Sequence, residues 1–153
     1  MTREEMLKAG TTETELRSKV RYPDKIGGGY MASMEAAHQL HCVNLLRKAS
    51  WYDYYQSIGD VAFQNSPDVI RLHFDHCIDM VRQNIMCNAD VTMITWYWVE
   101  GHTVPYPNFN TRHRCRNFEK IMDWSYKHGI HIDKSEVTRF PDTVDLPKPH
   151  RDA

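Results

Sequence analysis

The feature that most constrains this chain is a motif it carries twice. Residues 38–48 read HQLHCVNLLRK and residues 73–83 read HFDHCIDMVRQ. In register, His38 falls on His73, His41 on His76, Cys42 on Cys77 and Arg47 on Arg82, at an offset of 35 residues. The positions between match in kind: Val43 with Ile78, Asn44 with Asp79, Leu45 with Met80, Leu46 with Val81. No third copy follows. The repeat is therefore a duplicated element within one domain, because a solenoid needs at least three units.

The spacing carries the chemistry. On a helix, residues three and four apart share a face, since each residue turns about 100°. His38, His41 and Cys42 then face one way, as do His73, His76 and Cys77. Two imidazoles one turn apart can hold the same metal ion. Two such helices packed together bring four imidazoles into one place. That suffices for one closed four-coordinate ion, or for two ions with open positions. A single HxxH is weak, because histidines on a helix face usually bond to backbone or water. The doubling makes His38, His41, His73 and His76 the expected metal ligands.

Composition leans the same way. Nine histidines are many for 153 residues, and imidazole suits copper, zinc and iron. No acidic ligand sits beside the motif histidines as an obvious fifth member, which favours copper or zinc over magnesium, calcium or manganese. Non-haem iron would want a carboxylate with two histidines. Asp75 points to another face; Asp79 could join, but Asn44 replaces it in the first copy. The net charge of -1 argues against a broad grip on nucleic acid or anionic membrane. No run of about 18 apolar residues is present, so no membrane span is expected. Residues 1–10 lack the apolar core of a signal peptide, and the chain as given is expected to be soluble.

Four cysteines, Cys42, Cys77, Cys87 and Cys115, allow two disulfides in three connectivities. As thiolates they would suit zinc or a soft metal. Disulfides are the preferred expectation, since a free thiol beside an oxidising centre is prone to damage. A bond from Cys77 to Cys87 is excluded if one helix carries both. Ten residues rise about 15 Å, and a disulfide accepts a Cα separation of roughly 4.4–6.8 Å.

Along the chain, Thr2 to Glu5 and Thr12 to Glu15 fit capping boxes, predicting short helices over 3–9 and 13–20. Gly27, Gly28 and Gly29 read as a flexible connector, since no phosphate-loop context follows. Ser33 is the expected cap of a first motif helix running on through Tyr55, with Leu40, Val43, Leu46 and Lys48 on a face beside the histidines. Trp51, Tyr52, Tyr54 and Tyr55 are expected in packing rather than in a pocket wall. Ser66, Pro67 and Asp68 start the second motif helix, which should end at residues 88–90, with Ile70, Phe74, Val81 and Ile85 as core contacts. Residues 91–99 predict a short extended segment. A third helix is expected over 112–127, capped by Asn110 or Thr111, with Ile121, Trp124 and Phe118 on its apolar face and Gly129 at its end. The polar segment after it reads as an extended tail. The fold expected is thus mainly α: residues 1–30 peripheral, 31–130 the metal-binding domain with its two motif helices packed together, and 131–153 the tail.

The remaining histidines rank below the motif. His113, in RHRCRNF beside Cys115, can supply a further ligand or a supporting contact. His102, in a loop two residues after Glu100, can close a coordination position or carry a proton. His128, His131 and His150 look solvent-facing.

HQLHCVNLLRK, HFDHCIDMVRQNIMCNADVT and HRCRNFEKIMDW together resemble the UstYa-like family, fungal proteins of secondary-metabolite and mycotoxin clusters marked by two HxxHC motifs. The resemblance covers roughly residues 30–130. It implies an oxidoreductase that tailors a peptide or other natural product by cyclisation, hydroxylation, desaturation or halogenation. It implies copper rather than iron as cofactor, dioxygen as co-substrate, and His38, His41, His73 and His76 as ligands. It also implies a secretory-pathway lumen, because family members usually carry an N-terminal anchor; this chain shows none. Oxygen chemistry needs open coordination positions, so one HxxH pair per ion is expected. Trp51, Tyr54, Trp96 and Trp98 are candidates for a pocket wall, and a homo-oligomer is compatible with the sequence. The rival readings are a non-catalytic structural zinc module and a metal-free thiol-redox or scaffold protein.

Overall fold

The computed structural model describes residues 1–147. Pro149 and His150, with the end of the expected tail, lie outside the described residues. Among the described residues the fold is mainly α, with five helices: α1 (Arg3–Lys8), α2 (Glu35–Ala49), α3 (Tyr52–Ser57), α4 (Pro67–Asn88) and α5 (Phe118–His128). One antiparallel pair, β1 (Thr95–Tyr97) and β2 (Tyr106–Asn108), makes the sheet. The chain divides into two compact units, one spanning Met34–Lys120 and the other joining residues 1–33 to the chain from Ile121 onward.

In the unit that carries the motifs, Met34 rather than Ser33 takes the cap position of α2, and its side chain makes no capping bond. The helix expected through Tyr55 breaks after Ala49. The Ser50 hydroxyl donates back to the Arg47 carbonyl at 2.7 Å, and the Trp51 amide bonds only three residues back, to Lys48 at 2.9 Å. Trp51 then leaves helical geometry at φ -126° and ψ 44°, and α3 starts anew. The kink turns Tyr52 and Tyr55 inward. Both pack on Phe63, with ring centroids 5.3 and 6.0 Å away, while Trp51 and Tyr54 stay exposed.

Helix α4 follows its sequence signals. Pro67 occupies the first turn, where the missing amide costs nothing, and the helix ends at Asn88 as Ala89 turns left-handed at φ 34°. The core between the motif helices is Cys42, Leu45, Phe63 and Cys77, with Leu46, Phe74 and Val81 packed against it. Ile70 is buried too, but Ile85, expected in the core, is exposed, as are Leu40 and Val43 on α2. Beyond Ala89 the extended segment forms at β1. Its partner β2 contains Pro107, a residue tolerated where a strand edge has no neighbour to bond. The third helix starts later than expected. Asn117 accepts from the Lys120 amide at 2.9 Å, a capping bond that sets the start at Phe118, so residues 112–117 stay outside the helix.

In the other unit, Thr2 and Glu5 form the expected capping box of α1. Thr12 and Glu15 also bond, yet only a 3-10 turn, Glu15–Ser18, results. The triple glycine is an ordered turn, not a flexible connector. The Gly29 carbonyl accepts from Tyr22 at 2.9 Å and Tyr30 donates to Met1 at 2.7 Å. A Cβ on Gly29, at φ +74°, would fall 2.6 Å from the Met1 carbonyl oxygen. Val144 donates to the Arg17 carbonyl at 3.0 Å, and Arg21 pairs with Asp142 while its guanidinium lies 4.3 Å from the Phe140 ring centre. The segment after α5 is therefore tied to the N-terminal one.

Candidate metal centre

Helices α2 and α4 bring the four motif imidazoles together, and they do so across the helices. His38 pairs with His76, their ring centres 5.4 Å apart and their Nε2 atoms 3.4 Å apart. His41 stacks on His73 with ring centres 5.7 Å apart. As α2 advances from His38 to His41, its partners on α4 step back from His76 to His73, so the helices run antiparallel through the site. The pairs are thus mixed: each takes one ring from each motif. Two rings from the same motif, the expected set for one ion, are not the pair that meets most closely. In each pair one ring is half-buried, His38 or His73, and one is exposed, His76 or His41.

The geometry fits a transition metal. Two nitrogens held on a tetrahedral ion at about 2.0–2.1 Å lie roughly 3.3 Å apart, close to the His38–His76 separation. Cys42 Sγ lies 3.7 Å from His38 Nε2. The ligand atoms of His38, Cys42 and His76 all fall within 4.8 Å of one another. On the far side of its ring, His38 Nδ1 lies 3.4 Å from a Glu35 carboxylate oxygen. Such a carboxylate fixes the tautomer and leaves Nε2 to the ion.

The electrostatics favour neutral donors. His73 titrates below its ordinary value of 6.5, first because burial disfavours its charge and then because His41, His76 and His38 repel it. Neutral imidazole is the form that binds metal. Burial pushes the Cys77 thiol up to about 12, and the hydrogen bond and charge of the neighbouring Cys42 add to the rise. Cys42 and Cys77 are both fully buried, side by side, whereas Cys87 and Cys115 are exposed.

The carboxylates near the motif are engaged elsewhere. Arg82 bonds one oxygen of Asp79 at 2.6 Å and Gln83 the other at 2.5 Å, which lowers the Asp79 pKa. Arg71 takes Asp75 at 2.9 Å. His113 does not join the cluster either. Its Nδ1 lies 2.6 Å from an Asp90 oxygen and its Nε2 3.2 Å from the Thr111 hydroxyl. Asp90 is held down to about 2, by its bonds to Thr92 first and then by His113. His102 lies edge-on to Tyr106, ring centres 5.7 Å apart. His128 and His131 bond backbone oxygens of Trp124 and Tyr126, each at 2.7 Å. Sequence reasoning missed Glu35 as a partner of His38, although a carboxylate three residues before a histidine on one helix is a visible signal.

The profile of the family described as "Mycotoxin biosynthesis protein UstYa" matches residues 1–128. The chain belongs to the UstYa family. Among its curated relatives, the UstYa family oxidase aprY of Aspergillus flavus is 37% identical over 145 residues, covering 92% of this chain and 43% of the relative. The UstYa family oxidase phomYc' of Diaporthe leptostromiformis is 32% identical over 125 residues, 81% of this chain and 49% of its own length. The transacylase cctO of Talaromyces islandicus is 32% identical over 112 residues, 69% of this chain and 37% of its own. The chain thus spans about half, or less, of the length of these three relatives. No solved structure matches. Among the described residues no helix is long and apolar enough to cross a membrane.

Proposed function

We propose that this chain carries the metal centre of a copper-dependent oxidase that tailors a peptide or other natural product in secondary-metabolite biosynthesis. The observation that carries the reading is the 3.4 Å separation of His38 Nε2 and His76 Nε2 across two helices. Each mixed pair holds one ion: His38 with His76, and His41 with His73. Two ligands per ion leave open positions, and the exposed ring of each pair leaves a way in for substrate. Bound copper would supply the redox chemistry toward dioxygen that cyclisation, hydroxylation, desaturation or halogenation requires. The chain's own contribution is positional. Glu35 orients His38, and burial and mutual repulsion keep His73 neutral. The engagement of Asp75 and Asp79 by Arg71 and Arg82 withdraws the carboxylate that a two-histidine iron site would need.

In this reading Cys42 and Cys77 pair as a disulfide, which takes both sulfurs out of the donor set and shields them from oxidation. Such a bond persists in an oxidising compartment, in keeping with a lumenal site of action. Copper content and oxygen uptake of the wild type, of His41→Ala and of His76→Ala test the proposal. Each variant disables one pair, so each should keep about half of the metal and show lowered uptake; full metal and full uptake in both would overturn the proposal. Because one relative is named a transacylase, acyl transfer is assayed beside oxygen uptake.

A second reading has its own observation. His38, Cys42 and His76 make a ligand set with one sulfur, which suits structural zinc. It predicts that a chelator unfolds the protein. The oxidase reading predicts that the chelated protein keeps its helices.

A further inference from the structure

We infer that Cys87 and Cys115 form a disulfide that closes the base of the β1–β2 hairpin. The inference does not rest on the copper reading. It rests on register. The hairpin pairs Tyr97 with Tyr106, Trp96 with Pro107 and Thr95 with Asn108. Five residues further along each arm, in that same register, Asp90 meets His113 at 2.6 Å. The two arms therefore still face each other where the chain leaves α4.

Beyond the Asp90–His113 pair, Cys87 comes three residues back on one arm and Cys115 two residues on along the other. Two residues of extended chain advance about 6.6 Å. Three residues that pass from extended chain into a helix advance about 6 Å, because a helical residue rises only about 1.5 Å. Both cysteines thus stand a similar length of chain beyond the Asp90–His113 contact. Cys87 sits in the last turn of α4, and Cys115 lies in the stretch before α5; both are exposed. A disulfide needs a Cα separation of roughly 4.4–6.8 Å, and Cys115 lies on an exposed segment outside any helix or strand.

The alternatives are closed off. Cys42 and Cys77 are buried against each other in the core, so neither is open to Cys87 or Cys115. The bond forms by thiol–disulfide exchange with an oxidised protein-disulfide donor. One thiolate attacks the donor disulfide, and the second displaces the donor from the mixed disulfide. The two electrons and the two thiol protons pass to the donor, which leaves as its reduced dithiol. The product closes the loop that carries the exposed Trp96, Trp98 and Phe109, and so ties the hairpin to the end of the helix that bears His73 and His76.

The test is a peptide map of the full chain after equilibration with mixed oxidised and reduced glutathione, alkylated without reduction. Trypsin places Cys42 in residues 26–47, Cys77 in 72–82, Cys87 in 83–112 and Cys115 in 115–116. The expected species is 83–112 joined to 115–116, two hydrogens lighter than the sum of its parts and split by reductant. In Cys87→Ser, Cys115 should be recovered alkylated, with any link between 26–47 and 72–82 unchanged. Recovery of Cys87 and Cys115 as alkylated thiols in the wild type would overturn the inference, as would either one joined to 26–47 or 72–82. A wild-type link that survives in Cys87→Ser as another pairing of Cys115 would also overturn it.

Discussion

Two regions of the unit spanning residues 34–120 hold their chemistry-bearing side chains by different means. In the helix pair, the histidines flank side chains locked in the core. His38 and His41 lead directly into the turn that buries Cys42 and Leu45, and His73 and His76 lead into the turn that buries Cys77. In the arm from residue 89 to 114, the strands are three residues long, Trp96, Trp98 and Phe109 face solvent, and the ties are exposed side-chain contacts such as Asp90–His113. The difference teaches where precision comes from. The buried core between the helices holds His38 Nε2 and His76 Nε2 3.4 Å apart, whereas the arm has register but little packing to hold it.

The largest expected effect sharpens this contrast directly. Phe63 is 1% exposed and touches Tyr52, Tyr55 and Phe74. Phe63→Ala should cost about 3–5 kcal/mol in urea unfolding followed by helical circular dichroism. The same truncation at Trp98, 74% exposed, should cost about 0.5 kcal/mol or less. Equal losses at the two positions would break the comparison.

A smaller effect concerns pH. The folded protein holds the His73 pKa below its ordinary value of 6.5, so the unfolded chain takes up this proton first. Metal-free protein should therefore lose stability as pH falls below about 6.5, and the loss should stop once pH passes the lower folded value. His73→Gln should flatten that part of the unfolding profile measured against pH. A wild-type profile already flat across this range would contradict the burial assigned to the ring.

The smallest effect lies in the arm. Asp90 is held at about 2, below its ordinary 3.8, so its stabilising contacts are complete above about 3.8 and are lost as pH falls toward 2. Its carboxyl resonance should titrate near the lower value. Asp90→Asn should speed amide exchange in residues 92–97 and 106–113 and leave α2 and α4 unchanged. Slower exchange of the helices than of the arm in the wild type, with no change in the variant, would show that Asp90 does not hold the arm.

Much of the helix pair was legible in the sequence because its signals are local. The doubled spacing placed four rings on two helical faces, and Pro67 and Asn88 marked the ends of α4. What stayed hidden needs a partner from elsewhere in the chain. Spacing shows which rings share a face but not which ring faces which, so the mixed pairs emerge only with the antiparallel direction of α2 and α4. The break at Ser50 depends on a hydroxyl bonding back to Arg47, and Tyr52 and Tyr55 gain from it only because Phe63 waits opposite. Strand β2 was masked by Pro107, and the start of α5 was mistaken because Asn117, not Asn110 or Thr111, caps it. Ile85, Leu40 and Val43 have apolar side chains in helical register, yet no element covers them.

The account turns on which rings share an ion, and metal counting in double variants asks that question most directly. With one ion on each mixed pair, His38→Ala with His76→Ala empties a single pair and should retain about half of the wild-type metal. His38→Ala with His41→Ala disables both pairs and should retain almost none. Equal retention in the two double variants, or more metal in the second than in the first, would contradict the pairing of imidazoles across the helices.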